Sequence, residues 1–190
     1  MLKKLSDKSL INNLLEFFQE IRPQFYRMES SATQRSESLI QKLKLSPHPE
    51  GGLFRQIYRS TLNVDSKEAN AERSALTHIY FLLRKGDISR FHKVEHDEIW
   101  NVYEGAPIKL IHFDSKTGDL SEEIIGQGCE NYCTVIERKK YQAAESTGEY
   151  TLVGCSVAPG FDFKDFSFIE EGSNEAEIIK QKYPDYQRFL

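Results

Sequence analysis

The hydrophobic pattern changes period along the chain. From Ser9 to Ile21, Leu10, Ile11, Leu14, Leu15, Phe17, Phe18 and Ile21 recur at helical spacing, with Asn12, Asn13, Glu16 and Gln19 between them. Pro23 limits this helix. The stretch from Met28 to Ser38 is rich in Ser, Thr, Gln and Glu and reads as a mobile linker. The first helix therefore has two readings, a contact that docks on the domain or mediates self-association, and a loosely attached extension. Glu37 to Leu45 reads as a short helix ending at Ser46-Pro47, and His48-Pro49-Glu50-Gly51-Gly52 as a turn.

Beyond that turn the period becomes two. Leu53 to Ser60 reads as a strand with Leu53, Arg55, Ile57 and Arg59 on one face and Phe54, Gln56 and Tyr58 on the other. Two arginines on a buried face are costly without anionic partners, so this face is either exposed or set to bind something acidic. Thr61 to Arg73 is polar and reads as a loop. Ser74 to Leu83 is an apolar run suited to a central strand, with His78 as a packed histidine. Short strands follow at Ser89–Val94, from Glu98 onward, and at Ile108–Phe113, Leu120–Ile125, Tyr132–Ile136, Tyr141–Glu145 and Tyr150–Ala158. Evenly punctuated short strands of this kind predict an antiparallel sandwich or barrel. Asn174 to Leu190 has weak helical character, and no solenoid repeat is present.

A chain of 190 residues favours one domain with a sizeable core. Lys plus Arg number 25 against 29 for Asp plus Glu, a formal charge of −4 with no dense basic run, which argues against nucleic acid as a partner. Cys129, Cys133 and Cys155 have no zinc-finger spacing and read as reduced thiols, as in a cytoplasmic protein. Asp7 and Lys8 interrupt any signal-peptide core, and no apolar run reaches transmembrane length, so no membrane association is expected.

The candidate chemistry lies in Gly86 to Gly105, GDISRFHKVEHDEIWNVYEG. Strand alternation places Arg90, His92 and Val94 on one face and Phe91 and Lys93 on the other. Glu98 starts the next strand and shares its face with Trp100 and Val102, while Glu95, His96 and Asp97 form the bend. Gly86 and Gly105 fall in turns where the missing Cβ removes the cost of a positive φ. The spacing of Gly86, His92, Val94, Glu98 and Gly105 resembles the first signature of the cupin superfamily, with Val94 in place of a second His. HPEGGLFRQIYRS (48–60), HIYFLL (78–83), FHKVEHDEIWNVYEG (91–105), YQAA (141–144) and TLVGCSVAPGFDFKDF (151–166) extend the resemblance to the sugar-epimerase-like (RmlC-like) cupins of the fifth cupin family.

The resemblance implies a mainly β double-stranded β-helix, the cupin jelly-roll barrel, over residues 39–172. It is preceded by a helical extension and linker (1–38) and followed by a helical tail (173–190). It also implies a homodimer, and the family name supplies no reaction. The second cupin signature is altered, with Glu137, Lys139 and Gln142 where Pro, Gly and His would stand. Metallocupins hold iron, manganese, zinc or nickel with three His and one Glu. Only His92 and Glu98 remain of that set, Gln142 offers a neutral amide oxygen, and no spacing requires His78, His96 or His112 as a replacement. The expectation is a site that does not depend on a metal; the remaining metal reading is a weakly held divalent ion at His92, Glu98 and Gln142.

Related epimerases pair a His base with a Tyr acid. On that likeness His92 is the expected base, oriented by Glu98 or Asp97. Arg55 or Arg59 is the expected holder of a phosphate or carboxylate. Tyr58, Tyr80, Tyr103 and Tyr141 are candidate acids, with Tyr141 in the foremost place. Tyr58, Trp100, Gln142 and Phe163 are expected against a small polar or sugar-like ligand, and Asp162 and Asp165 either rim the pocket or cap the last strand. A barrel that binds without catalysis is the alternative, and a purely structural or partner-binding module is the third.

Overall fold

The computed structural model describes residues 31–190. The expected helix at 9–21 lies outside the described residues. Helix α1 covers residues 31–43, so residues 31–38, expected as linker, are its opening turns. Leu39 on α1 packs with Leu82, Tyr150 and Leu152, and this apolar contact holds the segment helical despite its polar composition.

Thirteen strands follow among the described residues. A six-stranded sheet has the order β1 (Ser46–Pro47), β2 (Leu53–Arg59), β5 (Thr77–Arg84), β12 (Tyr150–Ala158), β7 (Asp97–Gly105) and β10 (Cys133–Ile136). A five-stranded sheet has the order β13 (Phe166–Phe168), β6 (Ile88–Val94), β11 (Tyr141–Ser146), β8 (Ile108–Asp114) and β9 (Asp119–Ile125). All pairings are antiparallel. The stretch from Thr61 to Arg73, expected as a loop, instead supplies most of a separate hairpin, β3 (Asn63–Ser66) with β4 (Ala71–Ser74). Its alternation is masked because one face is solvated; Ser66 and Ser74 are its buried positions.

The sheets pack face to face around Phe81, Trp100, Ile108, Leu110, Ile125 and Val153, all nearly inaccessible. Each such side chain contributes roughly 1.5–3 kcal/mol by leaving water. The outer face of the five-stranded sheet is covered by α2 (Asn174–Lys182) and the 3-10 turn Pro184–Phe189, through Ile179 and Phe189 against Phe91, Ile111 and Phe113. Among the described residues no helix is long and apolar enough to cross a membrane.

Two bulges redirect side chains. In β2 the register slips between Gln56 and Tyr58. Phe54, Gln56 and Arg59 therefore pair with Phe81, Ile79 and Thr77 on the inner face, while Arg55 and Tyr58 pair with Tyr80 and His78 on the outer one. Simple alternation predicts Arg59 on the face of Arg55, and the bulge moves it to the other. In β6 a second slip places Ser89 and His92 inward although they are three residues apart. Arg90, expected beside His92, instead lays its guanidinium 4.6 Å from the Phe168 ring centroid. Gly86 and Gly105 have the positive φ their turns call for, 85° and 98°. Lys139, where the cupin pattern has Gly, holds a φ of 64° and donates its N–H to Val94 O at 2.8 Å.

The turn before β2 closes against β6. Gly51 has φ 113°, and a Cβ there would lie 2.0 Å from the Ile88 carbonyl oxygen. Gly86 has comparable φ but no atom within 4 Å of such a Cβ. Gly51→Ala is expected to destabilise the fold by about 2 kcal/mol or more, since backbone strain alone is worth roughly 1–3 kcal/mol. Gly86→Ala should cost less. Urea midpoints at unchanged slope measure the difference.

Candidate functional site

Between the sheets lies one cavity of about 160 Å³. Its walls are apolar: Phe54 from β2, Ile79 and Phe81 from β5, Val94 from β6, Trp100 from β7 and Val157 from β12. Glu50, Thr77, His92 and Glu98 are its buried polar members, and Glu50, His92 and Glu98, with the buried Cys155 thiol, form its floor. Gln56, Arg59, Asp162 and Phe163 sit at the more exposed mouth, where the His48 and Phe163 rings stack at 5.9 Å.

The floor is a proton-sharing group. The His92 Nδ1–H donates to the Arg90 carbonyl at 2.7 Å, which leaves Nε2 as the acceptor. That nitrogen lies 3.2 Å from Glu50 Oε2. Glu50 Oε1 accepts the Ser89 hydroxyl at 3.0 Å. The Glu50 backbone N–H donates to His48 Nδ1 at 3.3 Å. Burial pushes the Glu50 carboxyl up to about 8, against the Ser89 hydrogen bond. Burial also pushes Glu98 up to about 7, with His92 opposing and Glu50 adding. His92 is lowered by burial in spite of Glu98, and His48 falls to about 4 through burial and the neighbouring His92. These directions describe a neutral acid donating to a neutral imidazole, not an ion pair. The Cys155 thiol is pushed well above its usual value by burial and the two carboxyls and is no nucleophile as it stands.

Gln142 lies behind Glu98. The Trp100 Nε1–H can only donate, so it fixes the amide: Gln142 Oε1 accepts from Trp100 at 3.0 Å, and Nε2 donates to Glu98 Oε2 at 2.6 Å. The amide oxygen that a metal would need is thereby engaged. Val94 fills the neighbouring position with a hydrocarbon. Among the described residues no three His, Cys, Asp or Glu side chains are grouped to hold an ion. The donor set does not fit the metal of the wider superfamily.

The sequence-derived candidates separate cleanly. His92, Glu98, Trp100, Arg59 and Phe163 line this cavity. Arg59 spends its Nη2 on Gln56 Oε1 and the Phe161 carbonyl and its Nη1 on Ser74, so it straps the mouth segment to β2. Arg55 instead donates to the Leu43 carbonyl under α1, and Tyr58 is half exposed on the outer face. Tyr141 is buried outside the cavity beside Phe113, in the layer under the C-terminal segment, because it neighbours the inward Gln142 on β11. Tyr80 and Tyr103 pack edge to face on the outer side of the six-stranded sheet, where Tyr103 meets His78. Asp97 caps the Arg138 N–H at the surface and does not orient His92. Asp165 grips Arg73 through two hydrogen bonds. The sequence shows Glu50 and His48 only as part of a turn; its one signal for them is an acid directly before two glycines, a place where backbone approaches backbone closely.

The model of the family Cupin_5, described as cupin superfamily (DUF985), matches residues 37–169. A curated relative, "Uncharacterized protein YML079W" of Saccharomyces cerevisiae, is 26% identical over 165 residues, 75% of this chain and 79% of that protein. A solved "hypothetical protein from Leishmania major" is similar at TM-score 0.68 and 26% identity, over 81% of this chain and 95% of that one. Protein SO0799 from Shewanella oneidensis is similar at TM-score 0.67 and 29% identity, over 80% and 92%. With the jelly-roll sheets, the His92–Glu98 spacing and this match over most of the described chain, the protein belongs to the Cupin_5 family of the cupin superfamily.

Proposed function

We propose that the cavity binds a small polar ligand and moves a proton on it without a metal, as in an epimerase or isomerase. His92 is the base. Its tautomer is set by the Arg90 carbonyl, so the Nε2 lone pair faces Glu50 and the cavity floor. Glu50 and Glu98 are the groups that give a proton back, because burial pushes their carboxyls up to about 8 and about 7. The observation that carries this reading is the 3.2 Å contact of His92 Nε2 with the Glu50 carboxyl at the bottom of an apolar cavity. Non-catalytic binding is the second reading. It is favoured by the packing of Tyr141 outside the cavity, which removes the phenol acid that the epimerase likeness calls for.

A thermal-shift screen across nucleotide sugars, sugars and small metabolites is the route to a ligand, since whatever binds the native state alone raises the melting temperature. Solvent deuterium exchange into the bound ligand then reads the chemistry. Exchange is expected at one carbon and should fall by about 10²-fold or more in His92→Ala, the usual range for loss of a general base. Ligand binding with no exchange at any position would favour the binding-only reading. Unchanged binding and exchange in His92→Ala would remove the cavity from both.

Stability gives an independent check. A carboxyl whose pKa rises on folding stabilises below its unfolded value and loses that contribution as pH climbs through its folded value. For Glu50 and Glu98 the loss runs from about 4.5 to about 8 and to about 7. The lowered His48 and His92 act oppositely, but only below their unfolded value of 6.5. The melting temperature should therefore fall between pH 6.5 and 8. Glu50→Gln should flatten most of that slope.

A further inference from the structure

Resting on the reading that the cavity is a ligand site, we propose that its occupant carries a protonated amine on a compact apolar body of about six heavy atoms, with the ammonium seated between Glu98 and Glu50. Size sets the first limit. A cavity of about 160 Å³ matches one of roughly 150 Å³ that holds a benzene ring, so the enclosed part of the ligand is a single small ring or an equivalent branched chain. A whole nucleotide does not fit inside.

The floor sets the charge. Two buried carboxyl groups share it with a neutral imidazole. Glu98 is more than nine-tenths buried, lines the void, and has the Gln142 amide as its donor at 2.6 Å. A carboxylate accepts about four hydrogen bonds, so acceptor capacity is left over. Among the described residues no cation supplies the rest: no Lys lines the cavity, and Arg59 stands at the mouth, tied to Ser74, Gln56 and the Phe161 carbonyl. The walls are compatible with this, because Phe54, Phe81 and Trp100 line the cavity and aromatic rings attract a desolvated cation. The raised carboxyls are what a floor lacking its counter-charge should show. The ammonium expels one of the two carboxyl protons, so the other carboxyl still holds the proton that is returned to the ligand beside His92.

Every titratable group facing the ammonium bears on the test: Glu50 and His48 from the turn, Arg59 from β2, His92 from β6, Glu98 from β7, Cys155 from β12 and Asp162 at the mouth. His48 and His92 are neutral above pH 6.5, and Cys155 stays a thiol past neutrality, so the carboxyls govern the interval from 6.5 to 8. Below their folded values an incoming ammonium must expel a proton. Its affinity therefore rises with pH and levels off near 8.

The experiment titrates full-length protein with cyclopentylamine, cyclopentanol and cyclopentanecarboxylate, three probes sharing one ring and differing in head charge, by calorimetry and thermal shift at several pH values. The amine is expected to bind about tenfold more tightly than the alcohol at pH 8, and its affinity to fall about tenfold from pH 8 to pH 6 as proton release is demanded. Glu98→Gln should weaken both the preference and the pH dependence, and Glu50→Gln added to it should abolish them; should those variants not fold, the wild-type pH series decides alone. If the alcohol or the carboxylate binds as well as the amine, the cationic assignment is wrong and the ligand site stands. If none of the three binds while the protein is folded, the cavity is not a site for ligands of this size, and the reading beneath the proposal falls with it.

Discussion

Much of this molecule depends on how closely the turn His48–Gly52 is pressed onto the sheets. The Arg90 N–H donates to the Glu50 carbonyl at 2.9 Å, and the turn closes on itself through His48 N–H to Gly52 O at 3.1 Å and Gly51 N–H to His48 O at 3.0 Å. Gly51 and Gly52 leave no room for side chains against Ile88, Leu82 and Leu83. The same backbone contact that seats the turn on β6 carries the Glu50 carboxyl to Ser89 and His92. A structural clasp and a chemical group are thus one feature, and the clasp cannot loosen without moving the acid.

That arrangement runs against the ordinary economy of a protein interior. Carboxyl groups leave water at a cost unless paired, and here two are buried beside an imidazole that is itself driven neutral. The protein meets the cost by protonation and hydrogen bonding instead of by counter-charge. Ser89 serves Glu50, Gln142 serves Glu98, and the Arg90 carbonyl holds His92 in one tautomer. Local violations of good packing chemistry are commonly kept where function uses them.

Gln142 shows how a superfamily site is rewired. In place of an imidazole it presents an amide whose two ends are assigned by rigid neighbours, an indole N–H on one side and a carboxyl oxygen on the other. Trp100, Gln142 and Glu98 become a hydrogen-bonded chain running from core to cavity. This chain keeps Glu98 fixed in direction without an ion, and so preserves the orientation of the site while changing its chemistry.

The alternation of short strands was enough to predict an antiparallel sandwich or barrel, which the cupin resemblance narrowed to a jelly roll, and to group Glu98 with Trp100 on one strand face, because a strand's side-chain period is fixed by its backbone. The same rule overturns the expectation that Tyr141 and Gln142 both meet the ligand: neighbours on one strand cannot both face a cavity, and Tyr141 packs on Phe113. Period alone could not exchange Arg55 for Arg59, nor turn Arg90 away from His92, since each depends on a bulge that adds one residue to one strand. Nor could it find Glu50, which has no period at all. Its place on the floor is decided by contact between a turn and β6, residues some forty positions apart, and only folding brings those together.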